Sequence, residues 1–379
     1  MNLPHHHTLV SRRKFVAQLS TAAAALALLP RTSLGADDQT PKKKMGIVLV
    51  GLGSYATNQL APAIKKSKHW TLVGVVTGDP AKGRKWAHKY NFPEKNIMGY
   101  DEMGRLADLP EVDAIYAVTP NAIHAANCIA GAKAGKHVIT EKPMATSVAD
   151  CDAMIKACKD ANVRLMVGYR LHYEPHTQEL CRLAREQTFG PFMKITASNA
   201  FDMGDPDPAD YNWRVNRKLA GGGPLMDMGV YVIQAVCMAK AEAAPVAVTA
   251  KFGEVTRPKL FAQVEQSITW TMEFADGAVA NCFTSYDTQV SKMQADATHG
   301  WARLEEPAFY YDEPFLTTSQ GPVDRPKVIH QVAQLDGMAT EILTGGPSLA
   351  PGEMGRRDLA IIEAIYAAAN GGQRATVKV

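Results

Sequence analysis

Met45-Gly46-Ile47-Val48-Leu49-Val50-Gly51-Leu52-Gly53-Ser54-Tyr55-Ala56 decides the fold of this 379-residue chain. A short apolar run reads as a buried strand, and the glycines after it read as a tight turn opening a helix. In Gly51-x-Gly53-x-x-Ala56, the first glycine permits the turn and the second lets backbone approach a pyrophosphate. The small third residue lets helix and strand pack closely. Gly51, Gly53, Ser54, Tyr55 and Ala56 are therefore the first candidates for holding a dinucleotide.

Downstream, strand-like runs recur at Thr71–Val76, Ala114–Val118, His137–Thr140 and Arg164–Val167. Helical patterns separate them at Ala56–Lys66, Ala81–Tyr90, Ala122–Ala134 and Ser147–Ala161, the last opening on a capping pair, Ser147 and Asp150. Strands alternating with helices predict an α/β fold, a doubly wound parallel Rossmann sheet over 45–168. Right-handed crossovers then put every strand's carboxyl end on one edge, where ligands bind. Beyond about Gly190 the period changes to two. Val246 to Phe252, Gln263–Phe274 and Ala278–Asp287 flank a hairpin turn at Asp276-Gly277, and Met293, Ala295 and Ala297 continue the alternation. This predicts an α+β domain over 169–379 with a large, mainly antiparallel open sheet. One face lies on helices; the other needs a cover, for which a homodimer or homotetramer partner is the expectation. Two helices close the chain, His330–Leu343 and Glu353–Asn370, with Gly371-Gly372 as a C-cap signal.

Upstream, Ser11-Arg12-Arg13-Lys14-Phe15-Val16, the apolar run Ala17–Leu29 and the small-residue site Ser33-Leu34-Gly35 read as a twin-arginine signal peptide over 1–35. Residues 36–44 form an N-terminal arm. The expectation is export, already folded, by the twin-arginine machinery to the periplasm, with no stable membrane span after the signal is removed. A periplasmic dinucleotide enzyme meets no obvious pool of free nucleotide, so it should travel with its cofactor bound. The six cysteines, Cys128, Cys151, Cys158, Cys181, Cys237 and Cys282, form no CxxC and no metal spacing; all read as buried small hydrophobes. No metal site is expected. Net charge is only +3 and the basic residues are scattered, which excludes a nucleic-acid partner.

The residue after the second strand chooses the nucleotide. An NAD enzyme usually carries an acid there for the ribose hydroxyls. Here Thr77 stands at that place, followed by Lys82 and Arg84, a set that suits a 2′-phosphate. NADP is favoured over NAD, although Asp79 is near unless it caps the helix.

Further motifs follow in order: Val118-Thr119-Pro120-Asn121-x-x-His124, Glu141-Lys142-Pro143, Gly168-Tyr169-Arg170-x-His172-Tyr173, Trp213-Arg214 and Gly221-Gly222-Gly223-x-Leu225-x-Asp227-x-Gly229-x-Tyr231. Their order and spacing resemble the glucose–fructose oxidoreductase and inositol dehydrogenase family, over essentially the whole mature chain and closest to its exported branch. The resemblance implies that Lys142, often before a cis proline, bridges nicotinamide and sugar, and that Asp227 and Tyr231 line the substrate pocket. It puts Arg170, Trp213 and Arg214 on the nicotinamide side. Asn121 and His124 follow the strand Ala114–Val118 and are expected at its carboxyl edge by the cofactor, with Pro120, Glu141 and Tyr100 as further cofactor candidates and His172 as a candidate to reach the sugar. Chemistry agrees: oxidising a sugar hemiacetal needs a base for the hydroxyl proton, and a nearby ammonium makes a tyrosine a better one. Catalytic candidates are thus Lys142, Tyr231 and Asp227.

The implied function is a periplasmic sugar oxidoreductase with tightly bound NADP(H). It would oxidise an aldose to an aldonolactone and reduce a second sugar, aldose or ketose, to an alditol by ping-pong hydride transfer. The exported branch carries a long proline-rich arm that clasps a neighbour's cofactor; here only Ala36–Lys44 is available, which leaves retention and the acceptor sugar open. Alternatives are an exported NAD-dependent glycoside hydrolase, a dehydrogenase using exchangeable NAD(P), and a non-catalytic sugar sensor.

Overall fold

Two sheets organise the chain in the computed structural model, which describes residues 44–204, 213–311 and 315–379. The signal peptide and the arm up to Lys43 lie outside the described residues.

The first sheet runs parallel in the order β3-β2-β1-β4-β5-β6. Its strands are β1 Met45–Val50, β2 Trp70–Val76, β3 Ile97–Met98, β4 Ala114–Ala117, β5 His137–Thr140 and β6 Leu165–Val167. Every residue of β1 and β4 is buried, as expected of strands covered by helices on both faces. The winding reverses between β1 and β4, which opens a crevice at their carboxyl ends. Gly51 turns the chain there at φ +97°; a Cβ on it would lie 2.8 Å from the Thr119 methyl and 3.0 Å from the Val118 carbonyl. Only glycine fits that close approach.

Local chemistry sets the helices. Asp79 caps Pro80–Tyr90 by accepting from the Lys82 amide at 3.0 Å. Ser147 caps Val148–Asp160 by accepting from the Asp150 amide at 3.1 Å. The helix predicted from Ala56 begins with a π-helical turn, Ala56–Leu60, before Ala61–Lys66. Gly372 ends the helix Gly352–Gly371 at φ +61°.

The second sheet has nine strands in the order β14-β13-β12-β11-β7-β10-β9-β8-β15. They are β7 Lys194–Ala200, β8 Ala247–Phe252, β9 Ser267–Glu273, β10 Val279–Ser285, β11 Val290–Ala297, β12 Gly300–Leu304, β13 Leu316–Thr318, β14 Gly321–Pro322 and β15 Ala375–Thr376. All pairs are antiparallel except β7 with β10. The hairpin predicted at Asp276-Gly277 joins β9 to β10. The inward residues Ile268, Trp270, Met272, Ala280 and Cys282 are buried. The apolar stretch within Arg217–Ala239 is 83% buried inside the fold. The opposite face of the sheet exposes Thr196, Thr269, Asn281 and Lys292.

Some elements carry no clear period. β3 is two residues long. The helix Pro175–Glu186 buries His176, Thr177 and Glu179 among its apolar residues, so its stripe is masked. The strand starts predicted at Gln263 and Ala278 fall at Ser267 and Val279. All six cysteines are free; five are buried, but Cys181 is only half-buried, which corrects the expectation for that residue.

Candidate active site

A cavity of about 680 Å³ opens at the carboxyl ends of β1 and β4. The first sheet contributes Gly51, Gly53, Ser54 and Tyr55 from the glycine turn, Tyr100, Pro120, Asn121 and His124, then Glu141, Lys142 and Arg170. The second half of the chain contributes Trp213, Arg214, Asp227 and Tyr231. Fifteen sequence candidates, from six separated motifs and the lone Tyr100, thus line one space, of a size typical for small-molecule sites.

Asp227 is the hub. It sits on a π-helical turn, Leu225–Gly229, that runs into the helix Val230–Ala239 bearing Tyr231. The buried Glu265 carboxylate anchors this turn through the amides of Gly223 and Leu225, at 3.0 and 3.1 Å. A Cβ on Gly223 would lie 2.4 Å from the Glu265 carbonyl, which explains that glycine. Lys142 Nζ donates to the Asp227 backbone carbonyl at 2.8 Å and to its Oδ1 at 3.2 Å. Arg214 Nε and the Tyr286 hydroxyl donate to Oδ2 at 2.9 and 3.1 Å. Burial alone would raise the Asp227 carboxyl, but Lys142 and Arg214 hold it well below the usual range, so it is a fixed anion. Burial likewise opposes the Lys142 charge, yet Tyr231, Asp227 and Glu141 raise its pKa above the ordinary value. Lys142 is therefore an ammonium at neutral pH. It lies over the Tyr231 ring, 4.6 Å from the centroid, and its peptide bond to Pro143 is cis.

Arg170 forms the opposite wall. Its guanidinium is sandwiched between the rings of Tyr231 and Tyr311, at 5.2 and 4.6 Å. It donates to the carbonyls of Phe309 and Tyr310 and, at 2.7 Å, to His330 Nδ1. Glu141 lies beneath; its carboxylate accepts from the Tyr116 hydroxyl at 2.5 Å, and burial raises its pKa. His124 spans the carbonyls of Thr119 and Pro143 at 2.8 and 3.1 Å, and burial lowers its pKa. With its pKa lowered, His124 carries one ring N–H and donates to one of these two carbonyls, bracing the cleft wall.

Other candidates lie off the cavity. Ala56 is fully buried behind the turn, the packing role its small size serves. Thr77 is buried at the end of β2, whose Val76 carbonyl accepts from the Gly51 amide at 2.9 Å. Lys82 Nζ reaches the Leu52 carbonyl at 2.5 Å, beside the glycine turn, while Arg84 is exposed. Asp79 spends its carboxylate on the helix cap. His172 is corrected: it is buried outside the cavity lining and hydrogen-bonds Gln234 instead of facing the sugar space.

The sequence reading missed Tyr286, Phe309, Tyr310, Tyr311, Phe201 and Gln289. They reach the site from β10 and the loops around β7 and β11–β13, with no local motif to announce them. The Tyr286-Asp287 step at the end of a predicted strand was the one available signal.

A dinucleotide fits this geometry. A Cβ on Gly53 would meet nothing within 4 Å, so the turn is open toward the cavity. Arg170 Nε is buried with no hydrogen-bond partner, a donor awaiting an acceptor. Among the described residues no cluster of His, Cys, Asp and Glu could hold a metal ion.

A doubly wound sheet with a Lys–Asp–Tyr cluster facing its glycine turn defines a dinucleotide-dependent oxidoreductase. Residues 45–169 match the oxidoreductase family with an NAD-binding Rossmann fold, and residues 177–303 match the GFO/IDH/MocA C-terminal domain. The chain belongs to the GFO/IDH/MocA oxidoreductase family. It is 37% identical to the aldose-aldose oxidoreductase from Caulobacter crescentus, solved in complex with glycerol; the match covers 88% of this chain and 100% of that one, with a TM-score of 0.83. It is 27% identical over 327 residues to the NADP(+)-dependent D-xylose 1-dehydrogenase of Haloarcula marismortui, covering 84% of this chain and 89% of that protein. A levoglucosan dehydrogenase in complex with NADH and levoglucosan shares the fold at 20% identity, TM-score 0.76, over 89% of this chain and 100% of that one.

Proposed function

We propose that this protein is a sugar oxidoreductase that keeps NADP(H) bound, oxidises an aldose to an aldonolactone and passes the reducing equivalents to a second sugar in ping-pong fashion. The observation that carries this is the Lys142–Asp227–Tyr231 cluster lining the same cavity as the glycine turn. The similarity to an aldose-aldose oxidoreductase and to an NADP(+)-dependent xylose dehydrogenase supports the sugar and the nucleotide.

Gly51, Gly53, Ser54 and Tyr55 would hold the pyrophosphate side, with Thr77 and Lys82 toward a 2′-phosphate. Pro120, Asn121, Glu141, Arg170, Trp213 and Arg214 would border the nicotinamide side. NADP(H), when bound, supplies hydride acceptance and return. The protein handles the proton: Tyr231 takes it from the sugar hydroxyl and gives it back when the second sugar is reduced. Lys142 keeps a positive charge beside the developing oxyanion, and Asp227 fixes that ammonium while Arg214 and Tyr286 fix Asp227. Asp79, engaged in the helix cap, is unavailable to the ribose hydroxyls, which supports NADP over NAD.

Export belongs to the same reading. The Ser11–Val16 signal would send the folded protein to the periplasm, where a captive nucleotide removes the need for a free pool. Residues 45–168 would serve the nucleotide and 169–379 the sugar and assembly, with the polar face of the nine-stranded sheet meeting a second copy. A glycoside hydrolase of the same fold is less favoured, because Tyr231 stands where the resemblance gives such enzymes a histidine.

The test is the absorbance spectrum of purified protein without added nucleotide. An aldose should raise the 340 nm band, and a second sugar should bleach it. Protein that emerges empty and turns over only with excess nucleotide would exclude the captive-cofactor cycle and leave an exchangeable dehydrogenase.

A further inference from the structure

His172 belongs to a buried ring of polar groups behind the cleft. Its Nε2 pairs with Gln234 Oε1, and Gln234 Nε2 donates to Asp358 Oδ2. Arg357 Nε donates to Asp358 Oδ1 at 2.9 Å, and Arg357 Nη1 donates to Glu242 Oε2 at 2.7 Å. Glu242 Oε1 returns to within 3.9 Å of His172 Nδ1. His172, Gln234 and Asp358 are 7%, 2% and 0% exposed, so no solvent substitutes for these bonds. The Gln234 amide must aim its NH2 at the carboxylate of Asp358. Its oxygen therefore faces His172, which must carry its proton on Nε2.

The ring matters because of where its members sit in the chain. Arg170 and His172 are two apart on the 3₁₀ turn Arg170–Tyr173, so they point to different sides of it. Tyr231 and Gln234 are three apart on the helix Val230–Ala239, neighbours on its surface. The same two elements thus meet twice. In front, the Arg170 guanidinium lies 5.2 Å from the Tyr231 ring centroid; behind, His172 pairs with Gln234.

We propose that His172 is a positioning residue: its hydrogen bond to Gln234, buttressed by Asp358, holds the turn bearing Arg170 in register with the helix bearing Tyr231. The groups that border the nicotinamide and the sugar are then kept at one spacing. The catalytic consequence rests on the function proposed above; the positioning itself does not.

Three variants test it: His172→Leu, which lacks a donor, His172→Gln, which reaches Gln234 with an amide donor, and His172→Asn, which is too short. The rate of aldose-driven change at 340 nm should fall about tenfold or more in His172→Leu and His172→Asn. The half-saturating aldose concentration should stay within about twofold, and His172→Gln should recover most of the rate. A deuterium isotope effect from C1-labelled aldose should grow in the slow variants. Equal rates for His172→Gln and His172→Asn would overturn the proposal, even if His172→Leu fails to fold. So would a loss confined to aldose affinity, which would mean that His172 touches the sugar. If the wild type shows no aldose-driven change, the proposed function fails, and crystal structures decide the positioning. An Arg170–Tyr231 separation unchanged in His172→Asn would overturn it; a displaced guanidinium would support it.

Discussion

The Lys142 ammonium lies over the Tyr231 ring, 4.6 Å from its centroid, while the same nitrogen is bonded to Asp227. Lys142 is thus held by a carboxylate and by an aromatic face, neither of which depends on the tyrosine hydroxyl. The phenol oxygen can be removed without freeing the lysine, which makes its chemical role separable from its packing role.

Tyr231→Phe keeps the ring. It should leave bound nucleotide in place and slow both half-reactions by roughly 10²–10⁴-fold, the usual worth of a general acid–base. Rapid-mixing absorbance at 340 nm measures each half-reaction. Unchanged turnover would take Tyr231 out of the mechanism.

Asp227→Asn removes the shared counterion of Lys142 and Arg214. Breaking a buried ion pair from one side costs about 3–5 kcal/mol. The Lys142 and Asp227 side chains are 13% and 15% exposed, so the lower end is expected. Urea unfolding should show Asp227→Asn less stable than Lys142→Met, because the latter leaves Asp227 with Arg214 and Tyr286. The opposite order would mean that Asp227 is not the hub.

Tyr286→Phe removes one donor to Asp227 and keeps the ring that stacks on Phe261 at 6.2 Å. A hydrogen bond to a charged group contributes about 1.5–3 kcal/mol. The variant should fold and should lose turnover without losing nucleotide. Wild-type kinetics would show that Arg214 and Lys142 suffice to orient Asp227.

Thr77→Asp places a carboxylate at the end of β2, beside the strand whose carbonyl braces the glycine turn. Like-charge repulsion should make NADP leave faster during dialysis. Chromatography of the released nucleotide reads this directly, and equal retention would mean that the 2′-phosphate lies elsewhere.

Acid should destabilise the Arg170 wall through His330. Burial, with Arg170 beside it, pushes the His330 pKa down to about 3, whereas an unfolded histidine titrates near 6.5. A lowered folded-state value means that the contribution is full above about pH 6.5 and is lost as pH falls from there through about 3. Melting temperature should therefore fall more steeply from pH 7 to 4 in the wild type than in His330→Gln, which still accepts from Arg170 but does not protonate. Equal slopes would clear His330.

The parallel sheet was legible because β1, β2, β4 and β5 are short apolar runs punctuated by turns and caps, signals that act within a few residues. The glycine turn, Lys142, Asp227 and Tyr231 were legible as residue types at family spacing. The aromatic wall was not: Tyr286, Tyr310 and Tyr311 reach the cleft through long-range pairing of the nine-stranded sheet and its loops, and nothing near them in the chain records the destination. His172 shows the converse error, a motif residue whose side chain faces the back of its turn.

By itself the sequence determined the alternation of strands and helices over 45–168, the change to a period of two beyond it, the ligand-binding carboxyl edge of the parallel sheet and the chemistry available there, because backbone conformation, capping and hydrophobic period are local. Only the tertiary structure decided that Asp227 gathers Lys142, Arg214 and Tyr286, that Tyr311 closes on Arg170, and that His172 turns to Gln234. Those contacts join residues up to about 140 positions apart, from Arg170 to Tyr311. Such partners are selected by which buried charges and donors the packed interior leaves to be satisfied.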